Sequence, residues 1–167
     1  MSAFNYLLKE FTHQFISSCL IVWTLELASN PKQSKTLADY ILKIVKEDFH
    51  EIEANLMLTG LSTQQSSSCW PESIYSIVTS LVEKSACLNY EVLSSLLTRM
   101  KSDSSVLTKS SVFSKCLLLL INKCKSGGSS QTVVLNESLL NLIEIIIGNN
   151  QTLIKKSLQT AFKSLKS

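Results

Sequence analysis

Glycine and proline are both scarce, with four and two copies among 167 residues. A β-sandwich or barrel needs many tight turns, and this supply is too small for one. A collagen-like chain, with glycine at every third position, fails on the same count. Aromatic residues make up 7% of the chain and charged residues 17%, whereas apolar residues reach 45%. That apolar share is ordinary for a folded protein and argues against wholesale disorder. The length suits one domain. An all-helical domain is what remains.

The balance of 16 basic against 13 acidic residues leaves a formal charge of +3, short of the dense basic surface of a dedicated nucleic-acid binder. Five cysteines occur, Cys19, Cys69, Cys87, Cys116 and Cys124, an odd number with no Cys-x-x-Cys pair. Such cysteines read as small hydrophobes in a reducing compartment rather than as a disulfide framework. Ile16–Trp23 is apolar, but Lys9, Glu10 and His13 precede it and Glu26 follows, without the small-residue cleavage site of a secretory signal. The longest unbroken apolar run, Cys116–Ile121, falls far below the roughly 20 residues of a membrane span. The expectation is an intracellular, soluble protein without membrane contact. On that expectation the Asn-x-Ser/Thr triplets at Asn136 and Asn150 are accidents of composition.

Hydrophobic periodicity is the strongest signal. Between Glu72 and Lys84, Ile74, Ile77, Val78, Leu81 and Val82 line one side of a helix opened by Pro71. Asn89–Lys101 repeats the pattern with Val92, Leu93, Leu96, Leu97 and Met100, and Asn89 fits a cap. A short link predicts that the two pack as an antiparallel hairpin. The unit recurs. Ser34–Val45 places Leu37, Tyr40, Ile41, Ile44 and Val45 inside, and Phe49–Leu61 answers with Ile52, Leu56 and Leu61. Ser111–Lys123 pairs with Asn136–Ile147, both apolar nearly all round and expected to be covered on several sides. The Ile145–Ile147 run alone would allow a strand, but the length of its segment favours a helix.

The final helix, from about Asn150 to Leu165, carries Ile154, Leu158, Ala161, Phe162 and Leu165 on one face. At the other end, Ala3–Ala28 fits one bent helix or two shorter ones broken near Ser17 and Ser18, and two are favoured. Leu7, Leu8, Phe11, Phe15, Leu20, Trp23 and Leu27 would be their buried positions. Loops fall at Ser29–Gln33, Ser62–Cys69 and Ser126–Gln131, the second expected to be mobile. First helices of successive units begin at intervals of roughly 37–40 residues, the period of two-helix arrays. The predicted fold is therefore all-α: antiparallel helical hairpins stacked as a HEAT- or armadillo-like solenoid in one domain, 1–167. Its parts are N-terminal helices over 1–29, hairpins over 34–61, 71–101 and 111–147, and a terminal helix over 150–166.

Catalytic constellations are not legible. His13 and His50 are the only histidines, and His50-Glu51 lacks the second histidine four residues on that a zincin helix requires. Gly127-Gly128 is not followed by the Gly-Lys-Ser/Thr of a phosphate loop, and no Gly-x-Ser-x-Gly elbow occurs. Glu51 and Glu53, two apart, point to different helical faces and do not form a working carboxylate pair. No enzymatic activity, metal, cofactor or small-molecule ligand is expected. The feature that stands out is the terminal helix, where Lys155, Gln159, Lys163 and Lys166 are assigned to the face opposite the apolar stripe, with Lys156 to one side. Together with Leu153 these form the candidate partner-binding surface. A solvated cationic helix end favoured by the dipole is the plainer reading of the same lysines.

The text Ser-Val-Phe-Ser-Lys-Cys-Leu-Leu-Leu-Leu-Ile-Asn-Lys at Ser111–Lys123 resembles the C-terminal domain of the Fanconi anaemia group E family. In that family a phenylalanine-serine-lysine triplet leads into a leucine-rich helix. Asn149–Leu165 is similar to the family's last helix in order and spacing, so the likeness covers the final third, with the middle joined by repeat pattern. The resemblance implies a nuclear, non-catalytic adaptor of the Fanconi core complex. Such a subunit links the group C and group F subunits to the substrate that the complex monoubiquitinates in DNA interstrand crosslink repair. The family's members usually carry a longer helical domain and a poorly ordered N-terminal region, and no clear nuclear-localisation cluster is present here. Two other readings stay open. One is an unrelated HEAT-like scaffold, since leucine-rich helical arrays arise independently. The other is a weak nucleic-acid-binding module using the terminal lysines, although direct nucleic-acid contact is not expected without an interleaved aromatic and basic platform.

Overall fold

The computed structural model describes the backbone of residues 3–29, 34–63, 69–126 and 136–166, and the side chains of 14–27, 35–63, 69–124 and 136–166. All regular structure among them is helical. The elements are α1 (Ala3–Ser29), α2 (Ser34–Glu47), α3 (Glu51–Ser62), α4 (Glu72–Lys84), α5 (Tyr90–Asp103), α6 (Ser111–Ser126), α7 (Glu137–Asn149) and α8 (Lys155–Lys166). Most of the three links expected to be loops, including the one expected to be mobile, lies outside the described residues.

Local chemistry explains the helix starts. Asn89 Oδ1 accepts the Glu91 N–H at 2.9 Å to cap α5, and Asn136 Oδ1 accepts the Leu139 N–H at 3.0 Å to cap α7. Ser110 Oγ does the same for α6, accepting the Phe113 N–H at 3.1 Å. Before α3, the His50 N–H donates to Glu53 Oε2 at 3.0 Å, one half of a capping box. Ile145–Ile147 lies inside α7.

Close packing follows a rule of two. In one succession α2 lies on α4, α4 on α6 and α6 on α8, while in the other α1 lies on α3, α3 on α5 and α5 on α7. Consecutive helices that also approach closely are α1 and α2, α3 and α4, and α7 and α8. One buried cluster runs through both successions, from Leu20 and Leu27 of α1 to Leu158, Ala161 and Phe162 of α8. The deepest aromatic packing sets Tyr75 edge-on to Phe113, with ring centroids 4.9 Å apart.

Several expectations are corrected. The N-terminal segment is one helix, α1, not two broken at Ser17 and Ser18. It contains no proline or glycine, and the Ser18 hydroxyl donates back to the Gln14 carbonyl at 2.8 Å, which a continuous helix accommodates. Leu20 and Leu27 are buried as expected, but Phe15 is 63% exposed and Trp23 41%, because only one side of α1 meets α2 and α3. Tyr40 and Ile52 are also exposed. In α3 the inward stripe is Ala54, Met57, Leu58 and Leu61, which turns Ile52 to the opposite side. Helix α7 is less enclosed than its composition suggests: Leu140, Leu142 and Ile145 are half-buried, and Glu137, Ser138, Asn141 and Glu144 form an exposed side.

The terminal helix starts at Lys155 rather than near Asn150. Asn150 is buried. Its amide Nδ2 donates to Ser114 Oγ at 2.6 Å, while its Oδ1 accepts from the Thr152 N–H at 2.9 Å and the Thr152 hydroxyl at 2.7 Å. This side-chain turn holds the chain out of helical geometry until Lys155.

Candidate partner-binding surface

Helix α8 sits against α6 and α7 through Leu158, Ala161 and Phe162. Its side chains then divide by angle. Lys156 and Lys163, seven residues apart, project opposite the buried stripe with Gln159 between them, and all three are exposed. No hydrogen bond or ion pair among the described residues engages either ammonium. Lys155 and Lys166 occupy the flank instead, which corrects the assignment made from spacing. Lys155 is half-buried and its Nζ donates to the Gly148 carbonyl at 3.1 Å, satisfying an open carbonyl at the end of α7. Lys166 Nζ lies 3.1 Å from Glu144 Oε2 and 4.5 Å from the Phe162 ring centroid. These two lysines are committed within the chain. Leu153, in the turn before α8, is fully exposed at 102% of its reference area.

That turn is held by a second one. The Gln151 N–H donates to the Thr108 carbonyl at 2.7 Å, and Asn149 Nδ2 donates to Ser104 Oγ at 2.9 Å. The α7–α8 turn therefore lies beside the α5–α6 turn, which carries Val106 at 68% exposure and an exposed Lys109. Sequence reasoning did not single out Val106, because it sits between elements and belongs to no periodic stripe. Charge divides sharply by helix in this half of the molecule. Neither α6 nor α8 contains an acidic residue, whereas every charged residue of α7 is a glutamate. An open groove of about 530 Å³ runs along that acidic side, lined by Glu137, Ser138, Leu140, Asn141, Glu144 and Lys166.

The interior holds one charged cluster that periodicity did not reveal. Asp103 is buried at the end of α5, and its Oδ2 accepts from the Trp70 N–H at 3.2 Å, the Tyr75 hydroxyl at 2.7 Å and Arg99 Nε at 3.1 Å. The Arg99 guanidinium lies 5.0 Å from the Trp70 ring centroid. Burial, and then the Asp103 charge, push the Tyr75 hydroxyl far above the usual tyrosine range. The same two causes push the neighbouring Cys69 thiol up to about 11. Trp70, Tyr75 and Asp103 are buried and Arg99 and Cys69 half-buried, so the cluster ties the core together at its edge. Its only signal in the sequence is an Arg-x-x-x-Asp pair, common on any helix.

Other candidates are dispersed. His50 is exposed at the start of α3. Glu51 accepts the Ala86 N–H at 3.2 Å while Glu53 turns back to His50, so the two carboxylates do separate local work. Among the described residues no three His, Cys, Asp or Glu side chains converge as a metal site would need, and no helix is long and apolar enough to cross a membrane. Compared with family models, curated proteins and solved structures, the chain matches none.

Proposed function

We propose that the protein is a non-catalytic adaptor whose helices form a HEAT- or armadillo-like array that holds other proteins. The two successions of helices packed on every second neighbour support this reading, since repeat arrays grow by stacking like units. Combined with the resemblance of Ser111–Lys123 and Asn149–Leu165 to the Fanconi anaemia group E family, the role becomes specific. The chain acts in the nucleus as a core-complex subunit, joining the group C and group F subunits to the substrate monoubiquitinated in interstrand crosslink repair. One observation carries the docking role: Leu153, Lys156, Gln159 and Lys163 stand exposed together, with both ammonium groups unengaged within the chain.

The test is affinity purification of the tagged chain from nuclear extract, with identification of what accompanies it. The group C and group F subunits and the substrate are expected. The double variant K156E/K163E, which touches no internal contact, is expected to keep its fold and lose the substrate. Recovery of no core subunit would leave an unrelated helical scaffold as the better account. Undiminished recovery of every partner by the variant would remove the α8 surface from it.

A further inference from the structure

We propose that the docking surface is a composite ridge built from two turns, α5–α6 and α7–α8, and that its occupant is an acidic, amphipathic segment of a partner protein. The proposal rests on the adaptor reading and adds the chemistry of the ligand to it. The ridge has two apolar points and a basic border. Val106 and Leu153 are among the most exposed apolar side chains described, and the Gln151–Thr108 and Asn149–Ser104 hydrogen bonds bring their turns side by side. Lys101 and Lys109 flank the first turn, and Lys156 and Lys163 continue from the second. All four are exposed.

Acidic groups are missing from this border for identifiable reasons. The stretch from Lys101 to Ser126 contains one acid, Asp103, and that carboxylate is turned inward onto Trp70, Tyr75 and Arg99. From Asn150 to Lys166 there is none. The nearest glutamate of α7, Glu144, pairs with Lys166. A ligand on the ridge therefore meets unbalanced positive charge around a small apolar centre.

Leu153 and Val106 decide which class of ligand fits. A phosphate backbone would engage the lysines by counterion release and gain nothing from two exposed aliphatic side chains. An acidic protein segment with spaced apolar anchors uses both, burying the anchors centrally while its carboxylates meet the basic rim. The spacing of Lys156 and Lys163, about two helical turns, matches acids repeated at the same interval on a partner helix.

The experiment selects ligands from a displayed random-peptide library on the whole 167-residue chain, with a 20-base-pair duplex DNA as the second probe. Enriched peptides are expected to be rich in Asp and Glu with spaced apolar residues. Their affinity should fall about tenfold or more in V106S/L153S, the loss that follows from unburying two aliphatic anchors. K109E/K156E should weaken them most at low salt. All four positions are exposed, so both variants should melt with the parent. Enrichment of peptides without acidic residues, or binding untouched by V106S/L153S, would overturn the proposal. So would failure of any peptide to enrich while the duplex is retained through the same lysines. Nuclear purification separates this inference from its premise. Partners lost in K156E/K163E but kept in V106S/L153S remove the ridge and leave the adaptor. Acidic peptides bound at the ridge by a chain that recovers no nuclear partner leave the ridge chemistry and remove the adaptor.

Discussion

The Tyr75 hydroxyl donates to Asp103 Oδ2 at 2.7 Å, joining the first turn of α4 to the last residue of α5 inside the core. The same oxygen takes the Trp70 N–H and Arg99 Nε, so one carboxylate anchors the entrance to α4 and the exit from α5. Y75F removes one donor of three and should cost about 1–2 kcal/mol. D103A removes the shared acceptor of three buried donors and should cost about 3–5 kcal/mol. Urea denaturation of the two variants checks the ranking, and equal losses would contradict it.

Gly60 of α3 lies so close to Ile21 of α1 that an added β-carbon would overlap the isoleucine side chain. Alanine gains about 1 kcal/mol of helix preference, but overpacking costs about 1–3 kcal/mol. G60A should therefore lose about 1 kcal/mol net, despite relief from movement of the flexible Ile21 tip. G148A provides the contrast: no neighbour lies within 4 Å, and the change should gain about 0.4–1 kcal/mol. Thermal melts of the pair should move in opposite directions.

Burial pushes the Cys116 thiol up to about 12 from its ordinary 9. The folded protein then holds that proton more tightly than the unfolded chain does. The resulting stability is fully present below pH 9 and is lost as pH climbs toward 12. Melting temperature should fall across this window and fall less steeply in C116A. Tyr75, also raised by burial, shares the same sign and keeps the variant's profile from becoming flat. In a labelling series at pH 8, exposed Cys87 should react with iodoacetamide before Cys116.

Asn150 holds the turn that delivers α8 to its seat. N150A gives up a hydrogen bond to Ser114 and two from Thr152, and it should cost about 1–3 kcal/mol. Because Leu153 and Lys156 follow this turn directly, amide exchange should accelerate most over 151–160. Acceleration spread evenly through all helices would show that Asn150 supports the core generally instead.

Helix existence was legible wherever apolar residues recur at three and four: α4 and α5 carry their expected inward residues, and Asn89 and Asn136 cap where their side chains suggest. Periodicity locates a stripe but not its neighbours. Phe15, Trp23 and Ile52 show the limit, since each has a core-type side chain that stays exposed among the described residues. The candidate surface was half legible. Gln159 and Lys163 stand exposed where the spacing put them, Lys156 lies opposite the stripe rather than to one side, and Lys155 and Lys166 reach across to Gly148 and Glu144. Those partners lie seven and 22 residues away in sequence, beyond the reach of a helical-face argument.

The amino-acid order by itself determined that this chain is helical and roughly where each helix lies, because helix formation and capping depend on residues within a turn or two. Tertiary structure alone decided which lysines remain free, why Asp103 is hidden, and that the turns carrying Val106 and Leu153 adjoin. Those outcomes depend on contacts between different segments of the chain, and such contacts are set only when the helices pack.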